Sequence, residues 1–234
     1  MTLDSIRLTF KQLRFEALVI GCALFGLAAA LIVLAGRLQA IDIAACSGPD
    51  QPIDCAARHA QVDGLFSFVF GGQVLAALLP VFGALVLGVT VVGRELERGT
   101  ATLAWPMARS RSRWLAVRWV IVGTAMLATA LIVGMSSDAV HQASTTSGSR
   151  PTFDMVDWRG WVIAARAVMS FTLAVLTGAL LGRTLPGLLV AMVVMAILVL
   201  GVGWTMGAWV RGQAVPLDMD AVTTLKSSTP IGET

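Results

Sequence analysis

The charged side chains of this chain concentrate in one short segment, residues 93–118, which reads GRELERGTATLAWPMARSRSRWLAVR. It carries five arginines between Arg94 and Arg113, together with the carboxylates of Glu95 and Glu97. Guanidinium and carboxylate groups form charge-assisted hydrogen bonds with partner proteins or with lipid headgroups. The chemistry that this segment predicts is therefore ionic contact, either with a membrane surface or with a docked protein.

Residue sets that catalyse a reaction or hold a metal do not stand out. The sequence has no H-E-x-x-H and no G-x-S-x-G, and His59 and His141 lie far apart with no zinc spacing to cysteines. Ser136, Ser137 and Asp138 precede His141 but favour a capped loop over a catalytic set. We expect neither a catalytic residue nor a metal site, and a membrane-embedded enzyme is the weakest interpretation.

Two of the three cysteines, Cys46 and Cys55, bracket the segment CSGPDQPIDC. Proline and glycine between them favour a turn, and an oxidising compartment would allow a disulfide. Two free thiols remain the alternative, because the sequence does not place the two Cβ atoms.

The elements that position these residues are long apolar runs. Mean hydropathy is +0.80, and charged residues are 13% of the chain, against roughly 25% in soluble domains. A helix needs roughly 20 apolar residues to cross a bilayer, and five runs satisfy this: residues 17–36, 65–92, 114–135, 160–181 and 185–210. Helices satisfy their own backbone groups in lipid. The sequence predicts an all-α, polytopic transmembrane helical bundle, with residues 1–210 as one transmembrane domain in contact with membrane lipid.

The connections are residues 37–64, 93–113 and 136–159, and a polar tail follows at 211–234. Ahead of the first span, apolar and charged residues mix in a pattern that fits an amphipathic N-terminal helix at the inner interface, or equally a plain extension of the span.

Two residues within the spans are candidates for a pathway. Pro80 predicts a kink in the second span. Arg166 in the fourth span is interpreted either as a substrate contact or, with more weight, as a side chain that extends to the surface. Gly178 and Gly182, four residues apart, predict close helix packing.

The distribution of basic residues predicts the orientation. An inside amino terminus places ten basic residues in the cytoplasm and six outside, with most acidic residues outside; the ten are Arg7, Lys11, Arg14, Arg94, Arg98, Arg109, Arg111, Arg113, Arg118 and Arg183. We therefore predict a multi-pass protein of the plasma membrane, the inner membrane of a bacterium, with a cytoplasmic amino terminus. The net charge of +3 lies in short loops without interleaved aromatic residues, which argues against nucleic acid as a partner.

The order of residues in the charged segment resembles the loop between the second and third spans in permeases of the ABC-2 type exporter family. There an E-x-E-x-G-T stretch leads through Leu and Trp to S-R and W-L-x-x-K/R, and the matching residues here are Glu95, Glu97, Gly99, Thr100, Leu103, Trp105, Ser110, Arg111, Arg113, Trp114, Leu115 and Arg118. Pro106 and Arg109 depart from the pattern. The sequence LLGRTLPGLL at residues 180–189 is similar to that family's short inner turn between spans four and five.

The resemblance implies a permease subunit that pairs with a second permease subunit, identical or different, and with a separate ABC ATPase subunit. It implies a cytoplasmic coupling helix in the loop and assigns coupling to Glu95, Glu97, Arg98, Gly99, Thr100, Leu103 and Arg111. The chain has no G-x-x-x-x-G-K-[ST] sequence, so ATP and Mg²⁺ are expected in the partner and no cofactor in this chain.

The family usually has six spans, so we expect the tail at 211–234 to be a truncated outer segment, with a sixth span missing from this chain. A hydrophobic or amphipathic cargo is a further expectation. The alternative function is a non-transporting assembly or sensor subunit that associates with an ATPase.

Overall fold

The structure, a computed structural model, describes residues 3–41, 46, 53–97, 111–146 and 159–213. These residues form five helices and no strand: α1 (Leu3–Ala40), α2 (Cys55–Glu97), α3 (Arg111–Thr146), α4 (Gly160–Leu181) and α5 (Thr184–Gln213). Each helix contains a stretch long and apolar enough to cross a membrane. The prediction of an all-α, polytopic bundle is confirmed.

Several helices are longer than their predicted spans. α1 is a continuous helix of 38 residues, so the N-terminal segment continues the helix of the first span. α2 runs for 43 residues through Pro80 and extends past both ends of the 65–92 span. Its carboxyl end lies at Glu97, five residues beyond the predicted end of the span.

The α4–α5 connection is a two-residue turn. Gly182 adopts a φ of 62°, and its N–H donates to the Gly178 carbonyl at 3.0 Å. This left-handed conformation favours glycine and ends α4. Pro186 lies in the first turn of α5, where an N–H would have no helical acceptor. The short turn predicted within residues 180–189 is therefore present.

The bundle has two ends, which we name by their residues. At the arginine end, defined by Arg94, Arg118 and Arg183, α2 ends, α3 begins and the α4–α5 turn lies. At the disulfide end, defined by Cys46 and Cys55, α1 ends and α2 begins.

The core lies where α2, α3 and α4 meet, with α1 packed mainly on α3. Phe171, Ile163, Val133 and Leu24 are almost completely buried there. Apolar side chains that point outward, such as Phe82, suit a surface in contact with lipid tails.

The chain divides into two compact units, Met1–Val193 and Val194–Thr234. The first contains α1 to α4 and the beginning of α5. The described part of the second is the remainder of α5, and it carries exposed apolar side chains that include Leu200 and Trp204.

Candidate functional site

Three of the seven predicted coupling residues, Glu95, Glu97 and Arg111, belong to described helices and lie at the arginine end. Glu97 is the last residue of α2 and its side chain is described. Glu95 belongs to α2 and Arg111 begins α3, but their side chains are outside the described residues. The remaining four predicted positions, Arg98, Gly99, Thr100 and Leu103, also lie outside the described residues.

One face of the last turns of α2 packs against the α4–α5 hairpin. Val89, Gly93, Leu96 and Glu97 share this face through their helical spacing. A Cβ built on Gly93 would lie 3.3 Å from Thr184 Cγ2 and 3.6 Å from Thr184 Cα. The absence of a side chain at Gly93 thus lets the backbone of α2 approach the first residue of α5.

The same close approach continues one turn deeper. A Cβ built on Gly178 would meet the Val89 carbonyl oxygen of α2 at 3.2 Å. A Cβ built on Gly187 of α5 would lie 3.3 Å from Gly178 Cα. Gly178 therefore packs closely, as its sequence predicted, and its contacts are with α2 and α5. Its predicted companion, Gly182, instead ends α4.

The Glu97 carboxylate joins α2 to the start of α5. Its Oε2 accepts a hydrogen bond from Thr184 Oγ1 at 2.8 Å and lies 3.4 Å from the donating main-chain N of Thr184. The amino end of a helix carries partial positive charge and favours an anion, whereas the carboxyl end disfavours one. The amino end of α5 thus offsets the unfavourable position of Glu97 at the carboxyl end of α2.

Two arginines connect α2 to the other helices at this end. Arg94 forms an ion pair with Glu16 of α1 at 2.7 Å. Arg118 of α3 donates to the Val91 carbonyl oxygen of α2 at 3.3 Å. Together with the contacts of Val89 with α4 and of Glu97 with α5, these bonds connect the arginine end of α2 to α1, α3, α4 and α5.

Sequence reasoning did not find this set of contacts. The sequence assigned Arg94 only to orientation, Arg118 to orientation and to the match with the family loop, and Thr184 only to a turn. One signal was present for Thr184: it lies two residues after Gly182 and two residues before Pro186, a spacing typical of the beginning of a helix, where an anion is favourable. No pattern in the sequence pairs it with Glu97.

The disulfide end has a second carboxylate at a helix terminus. Asp138 of α3 accepts from the Gly160 N–H through both oxygens, at 3.1 and 3.2 Å. A buried polar pair lies nearby in sequence: Ser137 Oγ donates to Gln73 Oε1 at 2.8 Å, and Gln73 Nε2 donates to the Ser137 carbonyl at 3.3 Å. These residues hold α3 against α4 and α2.

Cys46 and Cys55 form a disulfide, with the two sulfurs 2.10 Å apart and the two Cα atoms 5.7 Å apart. The predicted bond is thus present, and the alternative of two free thiols does not hold. The bond closes the connection between α1 and α2.

The two pathway candidates are placed as follows. Pro80 is buried within α2, and because it has no N–H it cannot donate to the Ala76 carbonyl. Arg166 is partly exposed on α4, six residues after Gly160, which is about 9 Å along the helix. The main-chain carbonyl oxygen of Arg166 accepts a hydrogen bond from Ser170 Oγ at 2.7 Å.

A cavity of about 90 Å³ lies between α1 and α3. Its lining is almost entirely apolar and includes Ile20, Leu24, Leu87 and Met126, but neither Pro80 nor Arg166. Sites for drug-sized ligands occupy roughly 300–1,000 Å³. This cavity is too small for such a ligand.

Among the described residues, five helices are long and apolar enough to cross a membrane, which defines the class as a multi-pass helical membrane protein. The chain belongs to the family described as ABC-2 membrane transporter related, which it matches over residues 16–211. That match includes most of all five helices and confirms the resemblance found in the charged loop. The family and the helices together identify a transporter permease, a membrane component rather than a catalytic one. No curated protein and no solved structure matches the chain.

Proposed function

We propose that this chain is the transmembrane permease subunit of an ATP-driven exporter and that a separate ABC ATPase subunit drives it through the loop between α2 and α3. The observation that carries the proposal is the contact of α2, at its arginine end, with the four other helices. A helix fixed in this way transfers a displacement of the following loop to the bundle as a rigid-body movement.

The loop has a suitable composition for docking. It contains Arg98 and Arg109, follows the carboxylates of Glu95 and Glu97, and leads to Arg111 at the start of α3. These charges can pair with opposite charges on a partner. We assign coupling to the loop with Gly99, Thr100 and Leu103 in its middle, and ATP and Mg²⁺ binding to the partner.

The proposed orientation places the arginine end in the cytoplasm of a bacterium, in accordance with the excess of basic residues there. The disulfide end then faces the outside, where an oxidising compartment maintains the Cys46–Cys55 bond. The amino terminus is cytoplasmic in this orientation, and the ATPase meets the loop from inside.

A hydrophobic or amphipathic cargo fits a permease whose described helices present apolar side chains outward. We propose that two permease subunits, identical or different, form the complete pathway. Pro80 and Arg166 are the residues of this chain that we propose to line or shape it.

The test is co-purification of the tagged full-length chain with an ABC-type ATPase, identified by mass spectrometry, followed by ATPase assays in liposomes. Glu97→Arg is expected to reduce permease-dependent ATPase stimulation about tenfold or more, because it reverses a charge whose hydrogen bonds are worth about 1.5–3 kcal/mol. Deletion of residues 100–106, an uncharged stretch that contains Thr100 and Leu103, is expected to reduce it at least as much because it removes part of the proposed docking loop. Asp63→Asn, an exposed position on α2 near the disulfide end, is the control.

If association and stimulation survive both changes, the loop is not the coupling element. If both depend on the loop but no lipid or dye probe moves across the liposome membrane with ATP, the non-transporting assembly or sensor function gains support.

A further inference from the structure

The Glu97–Thr184 contact links two cytoplasmic connections that are far apart in sequence. Glu97 immediately precedes the loop that we propose to receive the ATPase, and Thr184 begins α5 directly after the α4–α5 turn. Their side chains share a hydrogen bond of 2.8 Å between Thr184 Oγ1 and Glu97 Oε2. A force applied to the loop therefore acts on a residue already bonded to the second connection.

Backbone packing supports the same link independently of the hydrogen bond. Gly93, one turn before Glu97, lies against Thr184, and a Cβ built on Gly182 would be 3.9 Å from Leu96 Cβ. The last turns of α2 and the α4–α5 turn thus fit together over several residues. The hydrogen bond adds a directional contact at the outermost point of this fit, where the side chain of Glu97 is exposed.

We infer that Glu97 is a positioning residue that fastens the α4–α5 turn to the end of α2, so that loop displacement moves α4 and α5 together with α2. The inference rests on the proposed function and specifies how one of its residues acts. Glu97 then works through a contact inside the chain, whereas direct pairing with a cation of the ATPase is the competing interpretation.

The two interpretations differ in what they require of Thr184. If the Glu97 carboxylate only pairs with a cation of the ATPase, its action does not depend on the Thr184 hydroxyl. A carboxylate that fastens the turn needs that hydroxyl, because the main-chain N–H of Thr184 at 3.4 Å is a long and weak donor. Thr184 is consequently the residue to change.

The decisive variants are Thr184→Val, which keeps the volume and removes the hydroxyl, and Glu97→Gln, which keeps an acceptor and removes the charge. Thr184→Ser retains a hydroxyl and serves as the rescue. Thr172→Val on α4 is the matched control, because the Thr172 hydroxyl donates to Val168 O of its own helix at 2.9 Å. The double variant of Glu97 and Thr184 measures whether the two residues act as a pair.

The assay uses the full chain with the co-purified ATPase in liposomes, and it measures association and permease-dependent ATPase stimulation separately. Thr184→Val is expected to leave association unchanged and to lower stimulation about two- to tenfold, the effect of losing one charged hydrogen bond at an exposed site. Glu97→Gln is expected to lower ATPase stimulation by a similar factor. The double variant is expected to lower it no further than either single variant. Thr184→Ser and Thr172→Val are expected to behave as the unaltered chain.

A distance measurement separates coupling from stability. Spin labels at Arg183→Cys and Ala116→Cys, both exposed positions, report the α4–α5 turn relative to α3 with and without ATP. Cys22, the free and exposed cysteine among the described residues, is replaced by serine. Thr184→Val is expected to reduce the ATP-dependent change in distance at least twofold while the melting temperature stays the same.

Three results would overturn the inference. Normal stimulation in Thr184→Val, with lost association in Glu97→Gln, would assign Glu97 to the ATPase surface while the proposed function stands. Additive losses in the double variant would show that the residues act independently. Failure of the unaltered chain to bind or stimulate any ABC-type ATPase would instead refute the proposed function, and the inference with it.

Discussion

At the scale of single residues, this protein places a carboxylate from one helix at the beginning of another. Asp138 accepts from Gly160 at the start of α4, and Glu97 accepts from Thr184 at the start of α5. The first N–H groups of a helix have no partner within it. Each carboxylate accepts a hydrogen bond from such an N–H group, and its negative charge is stabilised by the positive end of the helix dipole.

The buried pair of Ser137 and Gln73 gives a prediction at this scale. Ser137→Ala removes the hydroxyl that donates to Gln73 Oε1 at 2.8 Å and leaves that buried amide oxygen without this donor. We expect the free energy of unfolding in detergent micelles to fall by about 1–2 kcal/mol.

Ser136→Ala is the matched control, because the Ser136 hydroxyl donates to Ile132 O of its own helix at 2.8 Å. Its effect should stay below about 0.5 kcal/mol, since that carbonyl keeps its helical hydrogen bond. Equal losses in the two variants would show that the contact with Gln73 adds nothing to stability.

At the scale of elements, small residues decide how closely the helices approach. A Cβ built on Gly88 of α2 would lie 2.6 Å from Ala174 Cβ and 2.7 Å from the Phe171 carbonyl oxygen of α4. Neither atom is the end of a flexible side chain, so a methyl group there would force the two helices apart.

We therefore expect Gly88→Ala to destabilise the protein by about 1–3 kcal/mol, the usual effect of overpacking a core. Gly71→Ala is the control on the same helix, since a Cβ built there meets no atom within 4 Å. It should be neutral or stabilising, because alanine favours a helix by about 1 kcal/mol over glycine. Thermal unfolding in detergent distinguishes the two, and a stable Gly88→Ala protein would disprove the close α2–α4 contact.

The elements themselves were predictable, but their ends were not. Apolar runs indicated the five described helices, and the resemblance of residues 180–189 to the family's short inner turn indicated the turn. The helix of α3 continues to Thr146, past polar residues that sequence reasoning assigned to a loop. Ser136, Ser137 and Asp138 lie within this helix, and their side chains form hydrogen bonds with Ile132 of α3, Gln73 of α2 and Gly160 of α4, respectively.

At the scale of the whole molecule, the distribution of basic residues favours one orientation in the membrane. We predict that the arginine end faces the cytoplasm because basic residues are retained on that side. In a Cys22→Ser background, an impermeant maleimide should label Asp63→Cys in intact bacterial cells and Arg183→Cys only after permeabilisation. Both positions are exposed, so the comparison reports the side of the membrane rather than burial. Labelling in the opposite pattern would reverse the orientation and remove the loop from reach of a cytoplasmic ATPase.

The sequence alone indicated the five spans of the described residues, the class of protein and the family, because hydropathy over roughly 20 residues and a run of loop residues are local properties. It also indicated the pairing of Cys46 with Cys55, which are close in the chain. Only the tertiary structure decided that Glu97 meets Thr184, that Arg94 meets Glu16 and that Gly88 meets Phe171. These contacts join residues distant in the chain, and they depend on which helix faces are buried together. Where apolar residues cover every face of a helix, the sequence does not distinguish a face that meets another helix from one that meets lipid.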